Sequence, residues 1–156
     1  MVWNIENVSV EDLLELAAMV EQSGFDFYAR LSARVDEPRM KNELKFLRDE
    51  KGLHRAFFLE QLRKRGAVPR GSVAPVLQEA LDREFLRPMD RLFASPDIDD
   101  NDKRLSFGAD LEQKAINLYG VMRSVLETAQ QAALDRIIAQ GEDHRRNLEV
   151  IRSSSR

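Results

Sequence analysis

The chain has 156 residues, of which 43% are apolar and 33% charged, with a net charge of −3. That balance suits a single globular domain, residues 1–156, and excludes a disordered chain or a basic surface for nucleic acid. The absence of cysteine excludes disulfides, thiolate metal sites and iron–sulfur or rubredoxin-type centres. The opening residues Met1–Asn7 carry neither a basic nor an apolar leader segment, so no signal peptide is expected. No apolar stretch approaches the roughly 20 residues of a membrane span. No membrane partner is therefore expected, and the cytoplasm is the expected compartment.

In chain order, Ser9 is a helix cap with Glu11 and Asp12 in the first turn, and the first helix runs over about 10–35. Pro38 fits the first turn of a second helix, about 38–65, which stops at Gly66 with Pro69 beyond it. The basic run Arg63–Arg65 at its end complements the helix dipole. A connection over about 73–94 reads as helical, with Pro88 as an internal break. Ser95 to Asn101 is a turn and helix start, followed by a third long helix over about 102–127. Thr128-Ala-Gln-Gln131 has the pattern of a capping box and opens a fourth helix over about 129–151, with a mobile tail at 152–156. No strand is expected.

The core stripes carry the most information. At steps of three and four, the first helix gives Leu14, Ala17, Glu21, Gly24, Tyr28, Leu31 and Val35. The third gives Leu105, Gly108, Glu112, Ala115, Tyr119, Met122 and Leu126, an offset of 91 at every step. The second gives Met40, Leu44, Leu47, Lys51, His54, Phe58 and Leu62; the fourth gives Leu134, Ile137, Gly141, His144, Leu148 and Ile151, at offset 90 from Leu44 to Phe58. A helical hairpin has been duplicated. Short turns within hairpins and one long crossover between them predict an antiparallel four-helix bundle of ferritin-like topology.

Polar groups stand at mid-height in each stripe: Glu21, Lys51 with His54, Glu112 and His144. Charged side chains rarely occupy a core face unless they are paired or bound to metal. Alone, each has a bland reading: a glutamate at the stripe's edge, a histidine bonded to a carbonyl. Their repetition at equivalent positions predicts one buried polar site. Tyr28 and Tyr119 read as core tyrosines whose hydroxyls support its carboxylates.

The segments Glu21-Gln-Ser-Gly-Phe-Asp-Phe-Tyr28 and Glu112-Gln-Lys-Ala-Ile-Asn-Leu-Tyr119 resemble the Glu-x6-Tyr segments of rubrerythrin-like proteins. Asp49-Glu-Lys-Gly-Leu-His54 and Gln140-Gly-Glu-Asp-His144 are similar to that family's Glu-x-x-His helices, and the resemblance covers about residues 10–151. It implies a carboxylate–histidine di-iron centre, with Glu21, His54, Glu112 and His144 as ligands, and peroxide or oxygen chemistry or iron handling. Two ligand positions depart from it: the family's glutamate three residues before each histidine is Lys51 in one half and Gly141 in the other.

The expectation is therefore a ferritin-like protein with an altered centre, binding at most one iron or similar divalent ion and of weak or no catalytic activity. Lys51 would stand where a metal cation would, with Gly141 leaving room for its stem. Two alternatives stay open. A rotation of the second helix would bring in Glu50, four residues before His54, and give a working non-haem di-iron oxidoreductase or iron-handling protein. Otherwise the bundle is a metal-free structural or interaction protein. Redox activity would need a separate electron donor. No catalytic residue is singled out. Phe85, Leu86, Leu92 and Phe93 exceed what one core would cover, which predicts a homodimer.

Overall fold

The structure, a computed structural model, describes residues 3, 5 and 7–154. Its elements are helical throughout, with no strand among the described residues. The chain divides into two compact units, Met1–Leu86 and Arg87–Arg156, each built on one helical hairpin.

In the first unit, α1 (Val10–Arg34) packs along α2 (Pro38–Lys64). The Ser9 hydroxyl accepts the Asp12 N–H at 3.0 Å, satisfying one of the unpaired donors of the first turn. Pro38 disfavours a helical residue before it, so the chain turns at Val35–Glu37. The Glu37 carboxylate then accepts the N–H groups of Arg39 and Met40 at 3.0 and 2.7 Å, a cap that the sequence pattern did not reveal. α2 ends on Gly66, whose φ of +77° suits glycine. Gly66 N–H donates to the Arg63 carbonyl and Ala67 N–H to that of Leu62, closing a Schellman turn.

The connection differs from expectation. α3 (Pro75–Leu81), a π-helical turn (Asp82–Leu86) and α4 (Arg87–Phe93) follow one another without the break assigned to Pro88. Proline lacks the N–H for the ladder and crowds the preceding turn; widening that turn by one residue lets the helix pass through. Phe85 is not a surface residue: it is buried against Trp3, ring centroids 6.2 Å apart, while Leu86, Leu92 and Phe93 are half-buried. Among large apolar side chains, Phe46 and Leu53 on α2 are exposed.

In the second unit, a 3-10 turn (Pro96–Asp99) leads to Asp100, whose carboxylate caps α5 (Asn101–Met122) at the Lys103 N–H. α5 stops short of the expected 127. A 3-10 turn (Arg123–Val125) intervenes, and the Gln131 amide donates to the carbonyls of Arg123 and Leu126 that the helix leaves open. α6 (Thr128–Ser154) begins one residue earlier than expected, so Thr128 is inside the helix rather than its cap. Gln130 instead accepts the Glu127 N–H. The helix also runs on to Ser154; Arg152, assigned to a mobile tail, is bonded to Asp102 and Glu149. The rest of that tail, residues 155–156, lies outside the described residues.

All residues of the four core stripes are buried except Ile151, which is half-buried. Among the described residues no helix is long and apolar enough to cross a membrane.

Candidate functional site

In the first hairpin, the polar residues of the two stripes meet. Helical spacing places Glu21, Gly24 and Tyr28 on one face of α1, and Lys51 and His54 on one face of α2. The Glu21 carboxylate lies between the two α2 side chains. Its Oε1 is 2.9 Å from His54 Nδ1, and its Oε2 is 3.5 Å from Lys51 Nζ. Since a carboxylate only accepts, Nδ1 of His54 carries the proton in this contact. Glu21 is 1% exposed, Lys51 4% and His54 5%, so water does little to screen the charges. With a neutral imidazole, the ammonium and the carboxylate balance.

Glu50 is half-buried, while its neighbour Lys51 is buried and ion-paired to Glu21. Adjacent helical residues point about 100° apart, so the two cannot share this face.

The second hairpin keeps the carboxylate and imidazole without the lysine. His144 Nδ1 is 3.8 Å from Glu112 Oε1, beyond hydrogen-bonding distance, and both residues are buried. Gly141 stands at the position equivalent to Lys51. A Cβ there would lie 3.2 Å from Ile116 Cγ1, 3.4 Å from its Cδ1 and 3.8 Å from Glu112 Oε2. The nearest neighbours of that Cβ are Ile116 and Glu112 of its own hairpin. Within the first hairpin, room for the lysine stem is made by Gly24, where a Cβ would meet it at 3.1 Å. Gly24 was visible as a member of the α1 stripe, but stripe membership does not say which side chain crosses it.

Tyr28 and Tyr119 are both buried, and the Tyr28 ring stands edge-on to Phe27 at 5.1 Å. Among the described residues, no three His, Asp or Glu side chains converge in a way that could hold a metal ion. Three residues before each histidine, where the expected ligand pattern has a carboxylate, stands the cation of Lys51 in one hairpin and Gly141, without a side chain, in the other.

Glu15 is a further buried carboxylate that the pattern did not single out. It accepts the backbone N–H groups of Arg70 and Gly71, the latter at 2.8 Å, and so fastens the loop after α2 onto α1. Arg70 adds a bond to Asp12 and Arg65 one to Glu11. The sequence signal was a lone glutamate within the apolar run Leu13–Val20.

Comparison with known protein families, with curated proteins and with solved structures gave no match.

Proposed function

We propose that this chain is a ferritin-like, rubrerythrin-like protein whose carboxylate–histidine centre has been converted from metal binding to an internal ion pair. In this reading Lys51 replaces a metal ligand and supplies the positive charge that a divalent ion would bring. The centre binds at most one iron or similar ion, and oxidoreductase activity is weak or absent. The observation that carries the reading is the buried Lys51–Glu21 pair, with His54 on the other carboxylate oxygen. The repeat of the glutamate and histidine as Glu112 and His144 supports a derivation from a centre with matching halves.

The charge balance explains why such a change is tolerated. A buried carboxylate without a counter-charge is costly, and an ammonium can meet that need as a metal ion can. The lysine is covalently part of the chain, so the compensation does not depend on metal supply.

The test is metal content. Protein purified from iron-supplied cells, and then titrated anaerobically with ferrous ion, is expected to hold one equivalent or fewer by elemental analysis. Two tightly held equivalents per chain would overturn the reading and return the site to a di-iron centre.

A further inference from the structure

The Lys51 stem crosses α1 at one point. An ideal Cβ on Gly24 would lie 3.1 Å from Lys51 Cδ, 3.3 Å from Cε and 3.3 Å from Cγ. Three successive methylenes thus lie against the bare backbone of Gly24. Real Cβ atoms are rarely so close to a neighbour, and here the neighbour is the middle of the stem, itself buried and tied at its tip to Glu21. Glu21 is one helical turn before Gly24 on the same face. Backbone contact at Gly24 and ammonium contact at Glu21 therefore fix the stem at two heights on one helix.

Glycine is a poor choice for a helix interior on propensity alone. The duplicated half offers the comparison. The equivalent of Gly24 is Ala115, and the equivalent of Lys51 is Gly141. The hairpin with the lysine has the glycine on the facing helix; the hairpin without the lysine has a Cβ there. Among the differences between the halves, these two are the ones that a long side chain and its berth would require.

We propose that Gly24 and Lys51 are one functional unit, in which Gly24 is the positioning residue that seats the lysine so that its ammonium reaches Glu21. The proposal rests on the reading of Lys51 as the centre's own cation. It adds that this cation depends on a second position outside the ligand pattern. A lysine placed in such a centre opposite alanine would not seat.

The test is a thermodynamic cycle on the full chain with Gly24→Ala, Lys51→Ala and the double variant, read by thermal midpoint. A second readout is the rate at which Lys51 is acylated by an amine-reactive ester, followed by peptide mass spectrometry. Lys45 and Lys64, both exposed, are the internal references. In the parent, Lys51 is expected to be protected relative to both. Gly24→Ala is expected to lower the midpoint and raise the Lys51 rate by about tenfold or more, a population shift toward the open site. The reference lysines should not change. In the Lys51→Ala background, Gly24→Ala is expected to be neutral or stabilising, as helix propensity alone dictates.

If Gly24→Ala raises the midpoint equally in both backgrounds and leaves Lys51 protected, the berth does not exist. Should Gly24→Ala fail to fold, the double variant decides. A folded double supports the unit, whereas an unfolded double beside a folded Lys51→Ala shows that Gly24 serves something else and overturns it. Lys51→Met separates this proposal from the one it rests on. An unchanged midpoint in that variant removes the cation reading and this unit with it. A lowered midpoint together with a silent Gly24→Ala removes the berth alone.

Discussion

When a lysine and a glutamate are buried side by side, both lose their hydration, and each comes to depend on the other. Removing one partner leaves an uncompensated charge and typically costs about 3–5 kcal/mol, whereas removing both costs far less. Lys51→Met is therefore expected to lower the thermal midpoint by roughly 6–20 °C for a chain of this size. Glu21→Gln should fall similarly, because it keeps the shape and the contact to His54 but leaves the ammonium unbalanced. Glu21→Gln combined with Lys51→Met should be more stable than either single variant. Calorimetry on the three proteins checks this, and simple additivity of the two losses would count against the pair. At this scale the sequence was informative about which residues are buried, because a charged group in an apolar stripe stands out. It was not informative about the contact at Gly24. Periodicity gives the direction in which a Cβ points, but not how far a long side chain reaches or what it crosses.

At the scale of the element, the helices were readable where local chemistry decides them, as at Ser9, Pro38 and Gly66. They were misread where a tertiary or unusual local solution intervenes. The passage through Pro88 depends on a π-helical turn that propensity does not encode, and the early end of α5 depends on the Gln131 side chain reaching back to two carbonyls. The start of α2 offers a prediction. The two N–H bonds to the Glu37 carboxylate hold its pKa below the ordinary glutamate value, that of Met40 contributing most. A carboxylate lowered in the folded state adds stability that is fully present above its unfolded pKa and is lost as pH falls through the folded one. Glu37→Gln should thus lower the midpoint by a few degrees near neutrality and by less in acid, so that the two proteins converge as pH falls through the folded-state pKa of Glu37. Melting curves across that range give the check; a constant gap at all pH values would mean that the charge of Glu37 does not matter to the cap. Glu11, lowered chiefly by Arg65, and Asp135, lowered chiefly by Arg123, have the same sign and add to the acid-side loss.

For the molecule as a whole, the proposed internal cation makes stability independent of metal supply. On this reading the midpoint of the parent is expected to shift by about 1 °C or less between chelator and millimolar divalent ion where the ion pair leaves the centre empty, and to rise with metal where one ion is held. Lys51→Glu reverses the sign of the charge and places a third donor beside Glu21 and His54 within the first hairpin. That variant should be destabilised in chelator and recover with manganous or zinc ion, by about 2.7 kcal/mol when the ion is present at a hundred times its dissociation constant. Thermal shift assays with and without chelator measure both arms, and a variant that ignores metal would show that these three positions cannot act together as ligands. The duplicated hairpin was legible in the sequence because two helices of each half kept their stripes at a constant offset. The asymmetry between the halves was also legible as a list of differences, but its physical reason was not.

That asymmetry has a consequence for how the chain could have arisen. Had the hairpin remained a single gene product that self-associates, every substitution would have appeared in each copy, and a lysine could not have entered one copy alone. Joining the two copies in one polypeptide removes this symmetry. Each half can then drift on its own, one gaining Lys51 opposite Gly24 while the other holds Gly141 opposite Ala115. On the proposed reading, the exchange of a dissociable ion for a tethered one in a single half is a change that joining the two copies makes accessible.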